Sequence, residues 1–449
     1  MGCDLARAPG RSTNLSAYQM KRLIRRSLRA QGFTVSRDRL LPPRFVDKNA
    51  VRSVHALAVR HQVDCAREGL RSAENRLLGR LASGEEVVAT EVRPRLRRVL
   101  SNTDDELLFR YARLHWSIPT SKGYGRRLRF LVEDEQNGKL MGIIGLDDPI
   151  YHLPARDNWI GWSKDAHRDN LSRVMDAYLL GAVPPYSMLL AGKLVAMLAA
   201  SNEVREAFAA TYGGHRARIR RRELPGELAL ITTTSALGKS SIYDRIRYGE
   251  RLLFQPIGFT QGYGEFHFSN GLSEMISAYA HHHCKPTAKH PRWGPGFRNR
   301  REMLVKTFDS IGLPKDWLRH GVQREVFAVP LGTNTREFLR GEVTVLEPID
   351  LPAAKLSDFY LKRWLIPRSE REPAYTSWDP ESWRLWADNY PEPVNRSTRA
   401  AMALRASSGQ RSAVKKRGLP EKERGDSGPV TMNGNCRSPR LVSGSRKVW

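Results

Sequence analysis

The apolar run Leu179-Leu180-Gly181-Ala182-Val183 stops at Pro184-Pro185, and a turn with a helical segment behind it follows at once. Proline fits neither a strand ladder nor a helix interior, so the run reads as a strand with a fixed end. Upstream, Leu128–Val132 and Leu140–Leu146 flank Asn137-Gly138. Those two residues tolerate the left-handed backbone of a tight hairpin turn. Downstream, Leu228–Thr233 reads as a buried strand, residues 239–248 as a helix, and Gln255–Phe268 as a last strand pair. Residues 166–178, 192–212 and Leu272–His283 read as further helices. Strands alternating with helices over about 150 residues predict an α/β core.

The flanks differ in texture. Residues 15–127 read as a helical N-terminal region. Its first helix, Leu15 to Gly32, sets Leu23, Ile24 and Leu28 on one side and Lys21, Arg22, Arg25, Arg26 and Arg29 on the other. Longer helical stretches follow at Lys48–Leu81 and Thr103–Leu114. The core occupies 128–283. Residues 284–394 read as an irregular arm in which Trp364, Trp378, Trp383 and Trp386 lie among prolines. Residues 395–449 have no apolar periodicity and read as a disordered tail. The expected class is α+β, with a mixed-sheet central domain.

Charge narrows the function. Lys and Arg number 74 against 47 Asp and Glu, a net +27. The tail holds 13 Lys/Arg against 3 Asp/Glu, which leaves +17 elsewhere. Such an excess fits a polyanionic partner, and nucleic acid, DNA foremost, is the expected one. Cys3, Cys65, Cys284 and Cys436 show no pairing spacing, which suggests reduced thiols and a cytoplasmic protein. No 18-residue apolar run occurs, and Met1-Gly2-Cys3-Asp4 lacks an apolar signal core, so no membrane partner is expected.

Two resemblances meet in the core. The Phe130–Leu146 hairpin, the strand ending at Val183, the segment Gly192–Ala210, and Ser240-Ser241-Ile242-Tyr243 followed by Ile257-Gly258-Phe259 resemble the GNAT (N-acyltransferase) fold. That resemblance implies a GNAT-like central domain, with Tyr243 as the acid protonating a thiolate and Tyr186, Ser187 and Gly192 at an acetyl-CoA pyrophosphate turn. The turn departs from the family pattern, because Met188, Leu189 and Leu190 stand where glycines expose backbone N–H groups to phosphate. No cofactor is therefore expected, and acetyl-CoA is the alternative. The second resemblance rests on Trp116–Arg127, Arg156–Trp162, Gly181–Leu194, Thr234–Ser241 and Gly258–Gly264. These stretches resemble the Druantia A family, which implies a phage-defence or mobile-element context and partners among other defence or transposition proteins.

The expected nucleic-acid contacts are Arg126, Arg127, Arg156 and Trp159, converging near the Pro184–Ser187 turn, with Arg218, Arg220 and Arg221 beyond them. Gly238-Lys239-Ser240 lacks the glycine at position 233 that a nucleotide-binding loop needs. His281-His282-His283-Cys284 has no second ligand pair at zinc spacing, so no metal is expected. Glu133, Asp134, Asp147, Asp148, Asp157 and Asp176 could supply carboxylates to a nuclease. The expected function is DNA association around a degenerate GNAT-like core. An acyl-CoA N-acyltransferase and a nuclease or strand-transfer enzyme stand as alternatives.

Overall fold

The computed structural model describes residues 15–386, except 37–38, 46, 122, 124, 217–222 and 288–295. Helix α1 (Ala17–Ala30) opens on a reciprocal capping box between Ser16 and Gln19. Helix α2 (Lys48–Leu70) is capped by Asp47, α3 spans Glu74–Leu78, and α4 (Asp104–Ala112) starts on Thr103 with three acids in its first turn. Strand β1 is Pro94–Arg98, and the hairpin β2 (Arg127–Asp134) and β3 (Lys139–Asp147) turns at Asn137-Gly138. Then come α5 (Pro154–Ile160), α6 (Lys164–Asn170), β4 (Val174–Ala182), α7 (Ala191–Leu198), α8 (Asn202–Tyr212) and β5 (Leu230–Thr234). Strand β6 is Gln255–Phe259, followed by α9 (Leu272–His283), α10 (Arg300–Ile311), β7 (Glu325–Pro330), α11 (Thr335–Arg340) and α12 (Ala353–Tyr360).

These seven strands form one sheet in the order β6-β7-β5-β4-β3-β2-β1, beside two short two-stranded sheets, Thr34–Val35 with Leu40–Leu41 and Arg247–Tyr248 with Arg251–Leu252. Every neighbouring pair is antiparallel except β4 and β5. That parallel pair is short: Val174, Met175 and Asp176 face Leu230, Ile231 and Thr232. Beyond it the Thr233 hydroxyl donates to the Ala177 carbonyl at 2.7 Å, and β4 then runs on to Ala182. Trp116 lies against Gly181 on this far half, and a side chain at position 181 would overlap its indole.

One face of the sheet, with Phe130, Ile144, Met175, Ile231 and Phe327, is covered by α7, α8 and α12. The other face carries two separate apolar clusters. Leu131, Ile143 and Leu179 meet Leu77, Leu108, Phe109 and Trp386, while Val174, Leu230 and Ala328 meet Ile160, Phe338 and Leu339. A further core joins α1, α2, α9 and α10 through Met20, Ile24, Leu28, Val54, Ile276, Leu304 and Phe308. Near its C-terminal end the described chain returns to α3. Buried Glu74 accepts from the Tyr111 hydroxyl and from the Leu385 and Trp386 amides.

The α+β class is as expected, but several elements differ. Residues 239–248 do not form a helix: Ser240 Oγ accepts from the amides of Ile242 and Tyr243, which closes a single turn at Tyr243–Arg245. The helix expected at 166–178 ends at Asn170, and buried Val174 and Met175 open β4 instead. Gln255–Phe268 supplies one strand, whose partner β7 comes from the region read as an irregular arm. Strand β1 comes from the region read as helical. The boundaries at 127/128 and 283/284 therefore cut through one sheet. The tail expected at 395–449 lies outside the described residues.

Candidate functional site

Between the two apolar clusters of the second face runs a polar row. Arg127, Asp147, Asp176 and Thr232 are successive register partners across β2, β3, β4 and β5. Register partners point to one face with Cβ atoms about 5 Å apart. Thr232 Oγ1 donates to Asp176 Oδ1 at 2.9 Å. Burial raises the Asp176 pKa to about 6, against the opposing pull of the Thr232 hydrogen bond and the Arg156 charge. Tyr178, next along β4 on this face, is raised to about 12 by burial, opposed by Arg129 and Arg113. A carboxyl that titrates near neutrality beside a second carboxylate can take or give a proton.

The raised pKa gives a stability prediction. Folded Asp176 holds its proton to a higher pH than the unfolded chain, whose value is near 3.8. Its penalty is absent below that value, grows between it and about 6, and is constant above. Asp176→Asn, which keeps an acceptor for Thr232, is expected to stabilise the fold by about 1–3 kcal/mol above pH 7 and by almost nothing near pH 4. Denaturant midpoints at the two pH values check this; an equal effect at both would contradict it.

The contacts expected near the Pro184–Ser187 turn do not lie there. Arg126 is tied down at the start of β4: Nε donates to Asp148 Oδ1 at 2.6 Å, and Nη1 and Nη2 to the carbonyls of Ser172 and Val174. Pro184 lies beyond the far end of that strand, about 30 Å away at the usual rise per residue. Arg156 is fully buried, bonded to Asp157 and to the Ile150 and Tyr151 carbonyls, so it has no surface to offer a phosphate. Trp159 is half-buried on the apolar cluster of Ile160, Val174 and Phe338, with the Arg336 guanidinium over its ring. Of the four, Arg127 is exposed. Arg218, Arg220 and Arg221 lie outside the described residues. The histidines 281–283 are exposed at the end of α9.

The turn after β4 is closed upon itself. Tyr186 is fully buried; its hydroxyl donates to Asp134 Oδ2 at 2.9 Å and accepts from Asn137. The amides of Ser187, Met188, Leu189, Leu190 and Ala191 all donate to carbonyls of residues 183–187. Leu189 is buried, and its carbonyl accepts from the Tyr360 hydroxyl. A Cβ at Gly192 would make ordinary contact with Ile242, so no close backbone approach demands glycine there. Tyr243 stacks on Phe254 at 4.8 Å and meets Phe327 edge-on; burial raises its pKa to about 12.

Helix α1 offers a different surface. Met20, Ile24 and Leu28 are completely buried. Arg22, Arg26 and Arg29 are exposed, and among the described residues none of them forms an ion pair. Lys21 Nζ caps the Gly312 carbonyl at 3.1 Å. Together with Tyr18, these basic side chains line a shallow concavity. The helical periodicity of residues 15–32 carries this surface openly. The Asp147–Asp176–Thr232 row escaped sequence reasoning, because only strand register separates these acids from the other four. No helix among the described residues is long and apolar enough to cross a membrane.

A mixed sheet with helices on both faces, a carboxylate row on one of them and a basic helix to the side define an α+β protein with a basic surface on α1. Residues 46–341 match the family model described as Druantia protein DruA. The chain is also 36% identical over 368 residues to the Druantia protein DruA of Escherichia coli (strain UMEA 4076-1), covering 81% of this chain and 91% of that protein. The chain belongs to the Druantia DruA family. No solved structure matches it significantly.

Proposed function

We propose that this protein is an anti-phage defence component that holds DNA against the exposed basic face of α1, working with other components of such a system. The carrying observation is the division of that helix. Its three core residues are fully buried, and residues 15–35 contain five Lys or Arg and no acid. A surface of this kind neutralises phosphates and releases counterions. Replacing Arg22, Arg26 and Arg29 together by alanine is expected to lower the slope of log K against log salt by about 2–3 for duplex DNA. Exposed substitutions should leave the melting temperature nearly unchanged. An unchanged slope in the folded variant would remove this reading.

The core is read as GNAT-like. Support comes from an antiparallel run β1–β4, a parallel β4–β5 contact that ends after three residue pairs, and a helix directly after the turn. The pyrophosphate function is read as lost, since the turn spends its amides on its own carbonyls. Titration calorimetry with CoA and acetyl-CoA is expected to show no saturable heat. Tight stoichiometric binding would restore the acyltransferase alternative.

A second reading, phosphodiester cleavage or strand transfer, is favoured by the pairing of Asp147 with Asp176. Loss of DNA cleavage in Asp147→Asn with DNA binding intact would support it. Cleavage unaffected by that change would end it.

A further inference from the structure

We propose that His152, Asp157 and His167 form a binding site for a divalent transition-metal cation of the zinc class. The three residues come from the loop after β3, from α5 and from α6. One ligand atom from each lies within 4.8 Å of the others. His152 Nδ1 stands 3.9 Å from Asp157 Oδ2. The two imidazoles are nearly parallel, at 7° and 5.6 Å between centroids.

Three features fix these groups as ligands. His167 Nε2 lies 2.8 Å from the Tyr151 carbonyl. A carbonyl only accepts, so the ring proton is on Nε2 and the lone pair is on Nδ1. A histidine whose second nitrogen donates to a backbone carbonyl is the usual way in which a metal-binding imidazole is oriented. Asp157 is held in the same manner. Its Oδ1 takes both Nε and Nη2 of buried Arg156, at 2.9 and 2.7 Å. Its Oδ2 accepts the Leu153 amide at 3.0 Å and keeps a lone pair on the side of His152. The rings of Tyr151 and Trp162 wall the site, the first touching both imidazoles and the second His167.

The third ligand is the adjustable one. The His152 side chain is 79% exposed, which gives an ion a way in. Rotation of that ring can bring the donors to the separation of about 3.4 Å that tetrahedral zinc requires. Two nitrogens and one carboxylate oxygen suit Zn²⁺ and its neighbours in the first transition row rather than Mg²⁺ or Ca²⁺. Three protein ligands leave a position for water.

Calorimetry on the full chain, stripped of metal and carrying His281→Ala, His282→Ala and His283→Ala to remove the exposed histidine run, tests the site. Zn²⁺ is expected to bind with one equivalent and to raise the melting temperature, while Mg²⁺ gives no heat. Adding His152→Ala should weaken Zn²⁺ binding by about tenfold or more and abolish the rise in melting temperature. Because His152 is exposed, this variant should fold; His167→Ala provides a second reading if it folds as well. The visible absorption of bound Co²⁺ should be lost in His152→Ala too. No saturable Zn²⁺ binding, or one-equivalent binding that His152→Ala leaves unchanged, would overturn the proposal.

Discussion

Replacing Arg156 by alanine is expected to cost about 3–5 kcal/mol of folding free energy and to leave the salt dependence of DNA binding unchanged. The guanidinium is completely buried and lies 5.6 Å over the Trp162 ring. It donates to the Ile150 carbonyl, the Tyr151 carbonyl and Asp157 Oδ1 at 2.7–2.9 Å. Truncation takes the guanidinium donor from the Ile150 carbonyl, leaves the Tyr151 carbonyl to His167 alone, and removes the counter-charge of Asp157. Removing one member of a buried pair costs more than the pair itself contributes. Denaturant unfolding in the presence of a chelator measures the loss apart from any ion at Asp157. A loss below about 1 kcal/mol together with weakened DNA binding would return Arg156 to the role that the sequence suggested.

Glu74→Ala is expected to cost about 2–4 kcal/mol and to release the last described segment from the body. Glu74 is 2% exposed. It accepts from Tyr111 at 2.9 Å, from the Leu385 amide at 2.6 Å and from the Trp386 amide at 3.3 Å. Beside it Trp383 stacks flat on His115, 4.0 Å between centroids. Without the carboxylate two amides lose their acceptor, and the segment keeps its indole contacts and the hydrogen bonds of Tyr111 to the Trp383 carbonyl, Arg384 to Asn75 and the Gly84 amide to the Trp378 carbonyl. Faster proteolysis within residues 373–386 and a shift in tryptophan emission would accompany the lower stability. Glu74→Gln, which keeps one acceptor oxygen, should lose less. Equal losses in the two variants would mean that packing, not hydrogen bonding, holds the segment.

The legible parts of the fold were those that local chemistry dictates. Asn137-Gly138 marked the hairpin, Pro184-Pro185 closed β4, and of the residues read onto the apolar side of α1, Ile24 and Leu28 are buried, with Met20 one turn earlier in place of half-buried Leu23. Strand β7 was missed because Glu325–Pro330 pairs with residues about 90 positions away, and nothing beside it in the chain announces that partner. The candidate site divided along the same line. The basic face of α1 depends on helical periodicity alone. Asp147 meets Asp176, and His152 meets His167, only through register and loop geometry. Arg156 misled because a charged residue beside two tryptophans suits a stacking surface as well as a buried ion pair, and the three-dimensional neighbours decide between them.

The position of β7 sets a timetable for synthesis. Among the described residues it is the last strand to leave the ribosome, yet it fits between β5 and β6, which are made before it. At about 5–20 residues per second, residues 260–324 take roughly 3–13 s to emerge. Throughout that interval β5 and β6 each present an unsatisfied row of amides and carbonyls to any other nascent chain. Slower initiation or lower temperature during production should therefore raise the soluble yield by keeping such chains apart, more than it would for a sheet whose strands pair in the order of their synthesis.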